Sequence, residues 1–205
     1  MPEQAMWVSR ALNDMSLIKM FTSNLFETNK DIAIDGIDAN WRGESRLAGS
    51  FPTELYGKFH DQRFGKLPDF FTAGSHWVMS STMREVFNRF NLGQTAFYPT
   101  RLFQHDRKTL IEGDYCCVSF GEAHRVFVPE ESPKLPRFGT HRWKLGGGEI
   151  DGDVAVRRSA IPDVDVFLDP QMWEVLFLSD RIVQSLKAAK LTRRLGLRKC
   201  RIVQS

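Results

Sequence analysis

The sequence is poor in cysteine, with three in 205 residues, and two of these, Cys116 and Cys117, are neighbours that cannot bridge without distorting the peptide between them. A disulfide framework is thereby excluded, and a reducing compartment is expected. It also lacks any apolar run near the roughly 20 residues that a membrane helix requires. The first residues carry Glu3 and are broken by Ser, Arg, Asn and Asp, so neither a basic leader nor an apolar signal core is expected. A cytoplasmic protein is expected.

Motifs of common chemistries are missing as well. No two of the five histidines, His60, His76, His105, His124 and His141, lie three to five residues apart, so helix-borne metal pairs are absent. The run "LGGGEIDGD" has glycines but no Lys-Ser/Thr ending, and its acids would repel a phosphate; it reads as an acidic turn. Neither a nucleophile elbow nor a calcium loop occurs. No enzyme, metal or cofactor is expected; an enzyme assembled from separate loops would have to show a deep pocket holding perturbed histidines or carboxylates.

What remains is ordinary globular composition, 42% hydrophobic and 26% charged, of a length suited to one domain. The net charge of +3 hides an asymmetry. Residues 181–205 hold eight Lys or Arg and no acid, and +3 less this +8 leaves −5 for residues 1–180.

Periodicity predicts a first strand in "MWVSRAL" and loops with short elements over residues 31–66, which are rich in Gly, Asp, Asn and Ser. Met83, Val86, Phe87 and Phe90 fall on one helical face, Thr82 and Glu85 are spaced as a capping box, and Gly93 marks a stop. "QTAFYPTRLF" reads as an edge strand or one broken at Pro99. "GDYCCVSF" and "HRVFV" read as an antiparallel hairpin, with one thiol of the Cys pair inward and the other outward. Residues 129–163 read as a long connection with short strands, "VDVFLD" and "EVLFL" as strands, and "LRKCRIV" as a terminal strand with one wet face.

One pattern occurs twice. Sliding residues 77–93 by 99 positions places Ser80 on Ser179, Met83 on Ile182, Phe87 on Leu186, Phe90 on Ala189 and Leu92 on Leu191. Each copy reads as strand, serine cap, amphipathic helix and leucine; the second stripe is Ile182, Val183, Leu186 and Ala189. The fold class expected is a single α+β domain over residues 1–205, a mainly antiparallel or mixed sheet with two principal helices at about 81–91 and 180–190. Within it residues 1–66 are loop-rich and 196–205 form a basic terminal strand.

The blocks "LPDFF", "WVMSSTMREVF", "FYPTRLF", "GDYCCVSF", "DVDVF" and "LFLSDRIVQSLKAAKLT" resemble, in order and spacing, the eleventh immunity-protein family of bacterial polymorphic toxin systems. The match runs from about Leu67 to Leu195. The resemblance implies a non-catalytic cytoplasmic protein that binds and neutralises a cognate toxin used in interbacterial competition, and it supplies no catalytic residue. Family members commonly carry Gly after "LT", whereas Arg193 follows Thr192 here, so the helix exit and the tail are expected to run differently.

Two surfaces suit such a partner. The acids Glu149, Asp151, Asp153, Asp163, Asp165 and Asp169 would meet a basic toxin, and the tail cations Arg193, Arg194, Arg198 and Arg201 an acidic one. The alternative function is a nucleic-acid-binding module using that tail, against which stands the lack of aromatics among its cations.

Overall fold

A computed structural model describes residues 5–204, so Glu3 and the last residue of the expected terminal strand lie outside the described residues. The chain opens with strand β1 (Met6–Ser9), the short β2 (Ile18–Lys19) and β3 (Phe21–Ser23), then helices α1 (Asn24–Thr28) and α2 (Lys30–Trp41). Strands β4 (Glu54–Gly57), β5 (Phe70–Ala73) and β6 (His76–Ser80) lead into helix α3 (Ser81–Phe87), and β7 (Ala96–Phe103) and β8 (Tyr115–Ser119) follow. Three short strands come next, β9 (Arg137–Phe138), β10 (Arg142–Lys144) and β11 (Ala155–Arg157). The chain then runs through β12 (Val166–Leu168), β13 (Met172–Trp173) and β14 (Leu176–Ser179) into helix α4 (Asp180–Ala188), and ends on β15 (Leu197–Lys199) and β16 (Arg201–Val203). This is the α+β class read from the periodicity.

The residues group into two compact units interleaved along the chain, one of residues 14–85 and 94–121, the other of residues 1–13, 86–93 and 122–205. In the first, seven strands run in the order β2-β5-β6-β8-β7-β4-β3. Phe71, Val78, Met79, Leu55 and Leu102 are fully buried in it. In the second, four strands run β12-β14-β1-β15, with β16 parallel to β11 and the small sheet β13-β10-β9 beside them. Its core gathers Val8, Val156, Phe167 and Phe177, and the Phe167 and Phe177 rings stack at 5.2 Å.

The two sheets repeat one wiring. Antiparallel β5-β6, β6-β8 and β8-β7 in the first unit match antiparallel β12-β14, β14-β1 and β1-β15 in the second. Parallel β4-β7 matches parallel β11-β16, with Arg101 and Arg201 at the same place in the register. Even the outermost pairings agree: parallel β2-β5 matches a parallel bridge Ala123–Leu168, and antiparallel β3-β4 matches an antiparallel bridge Phe127–Val156. The doubled sequence pattern therefore sits at equivalent places in two sheets of the same wiring. In chain order each half begins with a strand, β1 or β8, that pairs in the sheet built from the other half.

Several expectations are corrected. Residues 31–66 are not mainly loop: α2 is the longest helix among the described residues. It buries Ala33, Gly36, Ala39 and Asn40 and leaves Ile32 and Ile34 about 40% exposed, so its inward stripe is small rather than apolar and the periodicity hides it. A Cβ on Gly36 would lie 2.4 Å from the Ser50 carbonyl oxygen, which is why no larger residue stands there. The buried Asn40 bridges the sheet, donating to Val118 O at 2.8 Å and accepting from Phe120 N at 2.6 Å.

Helix α3 ends at Phe87 rather than near residue 91, and its cap is Ser80, whose hydroxyl accepts from Met83 N at 3.2 Å, not Thr82. Ala189 lies outside the buried stripe as the C-cap of α4. "HRVFV" does not pair with β8, because β6 and β7 already occupy both edges of that strand; it crosses instead to Leu168 and Val156. Both Cys116 and Cys117 are buried, since neither face of β8 is open to solvent. Pro99 sits in a continuous β7, where only β8 pairs beside it; β4 joins from Arg101 onward, so no ladder bond is lost.

Arg193 is not needed as a helix stop. Lys190 adopts φ +59°, with Lys190 N bonded to Lys187 O and Leu191 N to Leu186 O, the two bonds of a Schellman ending.

Candidate functional site

Each unit carries a serine that closes a helix start and also grips an aspartate. Ser80 Oγ donates to Asp69 Oδ1 at 2.8 Å in one, and Ser179 Oγ donates to Asp165 Oδ1 in the other. The backbones match too, with Ser80 N on Asp69 O and Ser179 N on Asp165 O. These serines are occupied as caps and none is presented to a base, so they carry no nucleophilic chemistry.

The expected acidic patch is divided by the fold. Asp165 is fully buried and also accepts from Asn91 N and Arg181 Nε. Asp169 is 1% exposed; its Oδ2 accepts from Val126 N and Phe127 N at 2.8 Å each, and its Oδ1 from Gln171 N. Burial pushes its carboxyl above the ordinary value in spite of those donors. Asp153 closes the "EIDGD" turn, accepting from Ile150 N and from Lys134 Nζ at 2.8 Å, and these donors hold its carboxyl low. Glu149 is buried, and Asp151 accepts from Lys199 N. Only Asp151 and Asp163 of the six are exposed.

The tail cations divide likewise. Arg198 Nε donates to Glu149 O, and Arg201 pairs with Glu131 at 3.1 Å, so both are tied into the second unit's sheet edge. Arg193 and Arg194 are exposed in the turn before β15.

The histidines do not converge on a metal, and among the described residues no group of three His, Cys, Asp or Glu is placed to hold one. His60 and His105, with ring centroids 6.2 Å apart, line a cleft of about 270 Å³ together with Arg63, Gln104, Asp106 and Thr109. Asp106 there accepts from Thr109 Oγ1, Thr109 N and Lys108 N, which brings its carboxyl down to about 2. It is a permanent anion serving a turn, without the raised affinity for protons that an acid or base requires. His76 is buried with neither ring nitrogen bonded, and burial lowers its pKa to about 4. The buried thiols are inert as well, Cys116 being pushed up to about 11.

Two other surfaces carry no recognisable motif in the sequence. One is the outer face of α2, where Asp31, Ile34 and Asp38 are exposed. The other is the β9-β10 hairpin. Phe138 is 40% exposed and stacks on Trp173 at 4.9 Å; Arg142 lies over Trp173 at 4.8 Å and Lys144 over Phe138 at 5.8 Å. Arg137 lies over Trp143 at 5.6 Å. The available signal was the absence of any acid from residues 132–148, a stretch with four Lys or Arg and two aromatics.

Comparison with known proteins adds one finding. The model of the immunity protein family Imm11 matches residues 30–195, so the match begins at α2 rather than at Leu67. No curated protein matches the chain.

Proposed function

The chain belongs to the immunity protein family Imm11, and on that premise we propose that it binds and neutralises a cognate toxin through a protein interface, with no chemistry of its own. The family match over residues 30–195 carries this reading. The structure is consistent with it: Asp153, Asp165 and Asp169, the capping serines and the thiols are spent on the fold, while charged and aromatic side chains stand outward on short strands and on α2. An inhibitor of this kind needs a well-packed scaffold and a patch complementary in shape and charge to its target. A place in the bacterial cytoplasm follows from the same reading. It agrees with the fact that no helix among the described residues is long and apolar enough to cross a membrane.

The test is co-expression with the toxin encoded beside this gene. Growth should be restored and the two proteins should purify together; a neighbouring toxin that kills unabated and passes through the affinity column alone removes the proposal.

A further inference from the structure

We propose that the β9-β10 hairpin is the toxin-gripping surface, and that it takes an acidic patch on the partner protein. The inference rests on the toxin-binding reading above and names the surface and chemistry of that same interaction.

Register decides which side chains share a face. Arg142 stands opposite Phe138 and Lys144 opposite Trp173, so these four lie on one face; Trp143, opposite Arg137 and Met172, lies on the other. That second face turns inward, where Met172 is buried and Trp143 packs on Phe127 at 5.5 Å. The first face is therefore the outer one, an aromatic pair with a cation laid over each ring.

Two features make it a binding surface rather than a solvated edge. Among the described residues Arg142 and Lys144, like most of the Lys and Arg, form no ion pair, so their charge on the outer face is open to a partner. Arg142 and Lys144 stand two apart on β10 and so put two like charges on one face, which carboxylates from a partner would offset. The cations are also held on ring faces, so less rotamer freedom is lost on binding, and tryptophan and arginine are the side chains that dominate interface energies.

The same chemistry distinguishes a protein from a nucleic acid. Single-stranded bases need open aromatic faces to stack on, and here the ring faces are covered by one another and by the cations. What is left outward are guanidinium edges, whose fork fits a carboxylate.

The experiment titrates the purified toxin domain from the adjacent gene against wild type, Arg142→Glu/Lys144→Glu, Phe138→Ala, and a control Arg193→Glu/Arg194→Glu, by calorimetry at two salt concentrations. The hairpin reversal should weaken binding by about 100-fold and Phe138→Ala by about 10-fold, with the control near wild type. Circular dichroism checks that each variant is folded, and Arg142→Gln with Lys144→Gln replaces the reversal if it is not. No binding by wild type overturns the toxin reading itself. Wild-type binding with the hairpin variants unchanged overturns the hairpin alone. Retention of a single-stranded RNA probe that the hairpin variants lose, with toxin binding intact, assigns the surface to nucleic acid and also overturns it.

Discussion

Ser80 Oγ donates to Asp69 at 2.8 Å while accepting from Met83 N at 3.2 Å, and Ser179 Oγ is engaged in the same way between Asp165 and Ile182 N. One hydroxyl ties the start of a helix to the strand that runs antiparallel beside its own. Ser80→Ala and Ser179→Ala should each cost about 1–2 kcal/mol, measured by urea unfolding. Asp165→Ala should cost more than Asp69→Ala, because it also leaves Asn91 N without its acceptor and removes the ion pair with the half-exposed Arg181.

Gly36→Ala replaces a poor helix former with the best one, and on an exposed helix face this would stabilise by about 1 kcal/mol. Here the new methyl meets the Ser50 carbonyl oxygen, so the sign should reverse to a loss of about 1–3 kcal/mol. A thermal melt that rises would show that α2 does not pack as described.

His76 makes stability depend on pH. Its folded pKa is about 4, below the ordinary 6.5, so the unfolded chain binds the extra proton. Above pH 6.5 both states are neutral and His76 has no effect; between pH 6.5 and 4 stability falls, by about 3 kcal/mol in all. The difference between wild type and His76→Leu, followed by urea unfolding across that range, should change by this amount and be level above pH 7.

Lys190 and Glu174 hold φ of +59° and +53°, a region where a Cβ is strained. Lys190→Gly and Glu174→Gly should each raise stability by about 1 kcal/mol. The Glu174 gain should be larger at pH 8 than at pH 5, since its raised pKa means that the native state resists ionisation as pH climbs from 4.5 through 7. Equal gains at both pH values would contradict a buried carboxyl.

Removing residues 1–10 strips β1 from between β14 and β15 and leaves both with an open edge. Hydrogen exchange should accelerate in β14 and β15 while β6 and β7 stay protected, because their shared neighbour β8 is untouched.

The α+β class, the two serine-capped helices and the family could be read from residue order alone, because each rests on local features. Heptad-like spacing in Met83, Val86 and Phe87, a serine before it, and blocks in order need no knowledge of what packs where. α2 was hidden since its packing face is made of Ala, Gly and Asn, which carry no hydrophobic signal; only the close approach of Ser50 explains them. The partner of "HRVFV" is not legible in its residues, because a strand's sequence records its burial and not its neighbour. Asp165 and Asp169 looked like surface acids for a similar reason: a carboxylate in sequence gives no hint of the backbone donors that will surround it. The tertiary structure alone decided that β1 and β8 change places between the two sheets of like wiring, and that Phe138, Arg142, Lys144 and Trp173 share an outer face. Residues separated by up to 35 positions meet there through strand register, a long-range relation that no local pattern encodes.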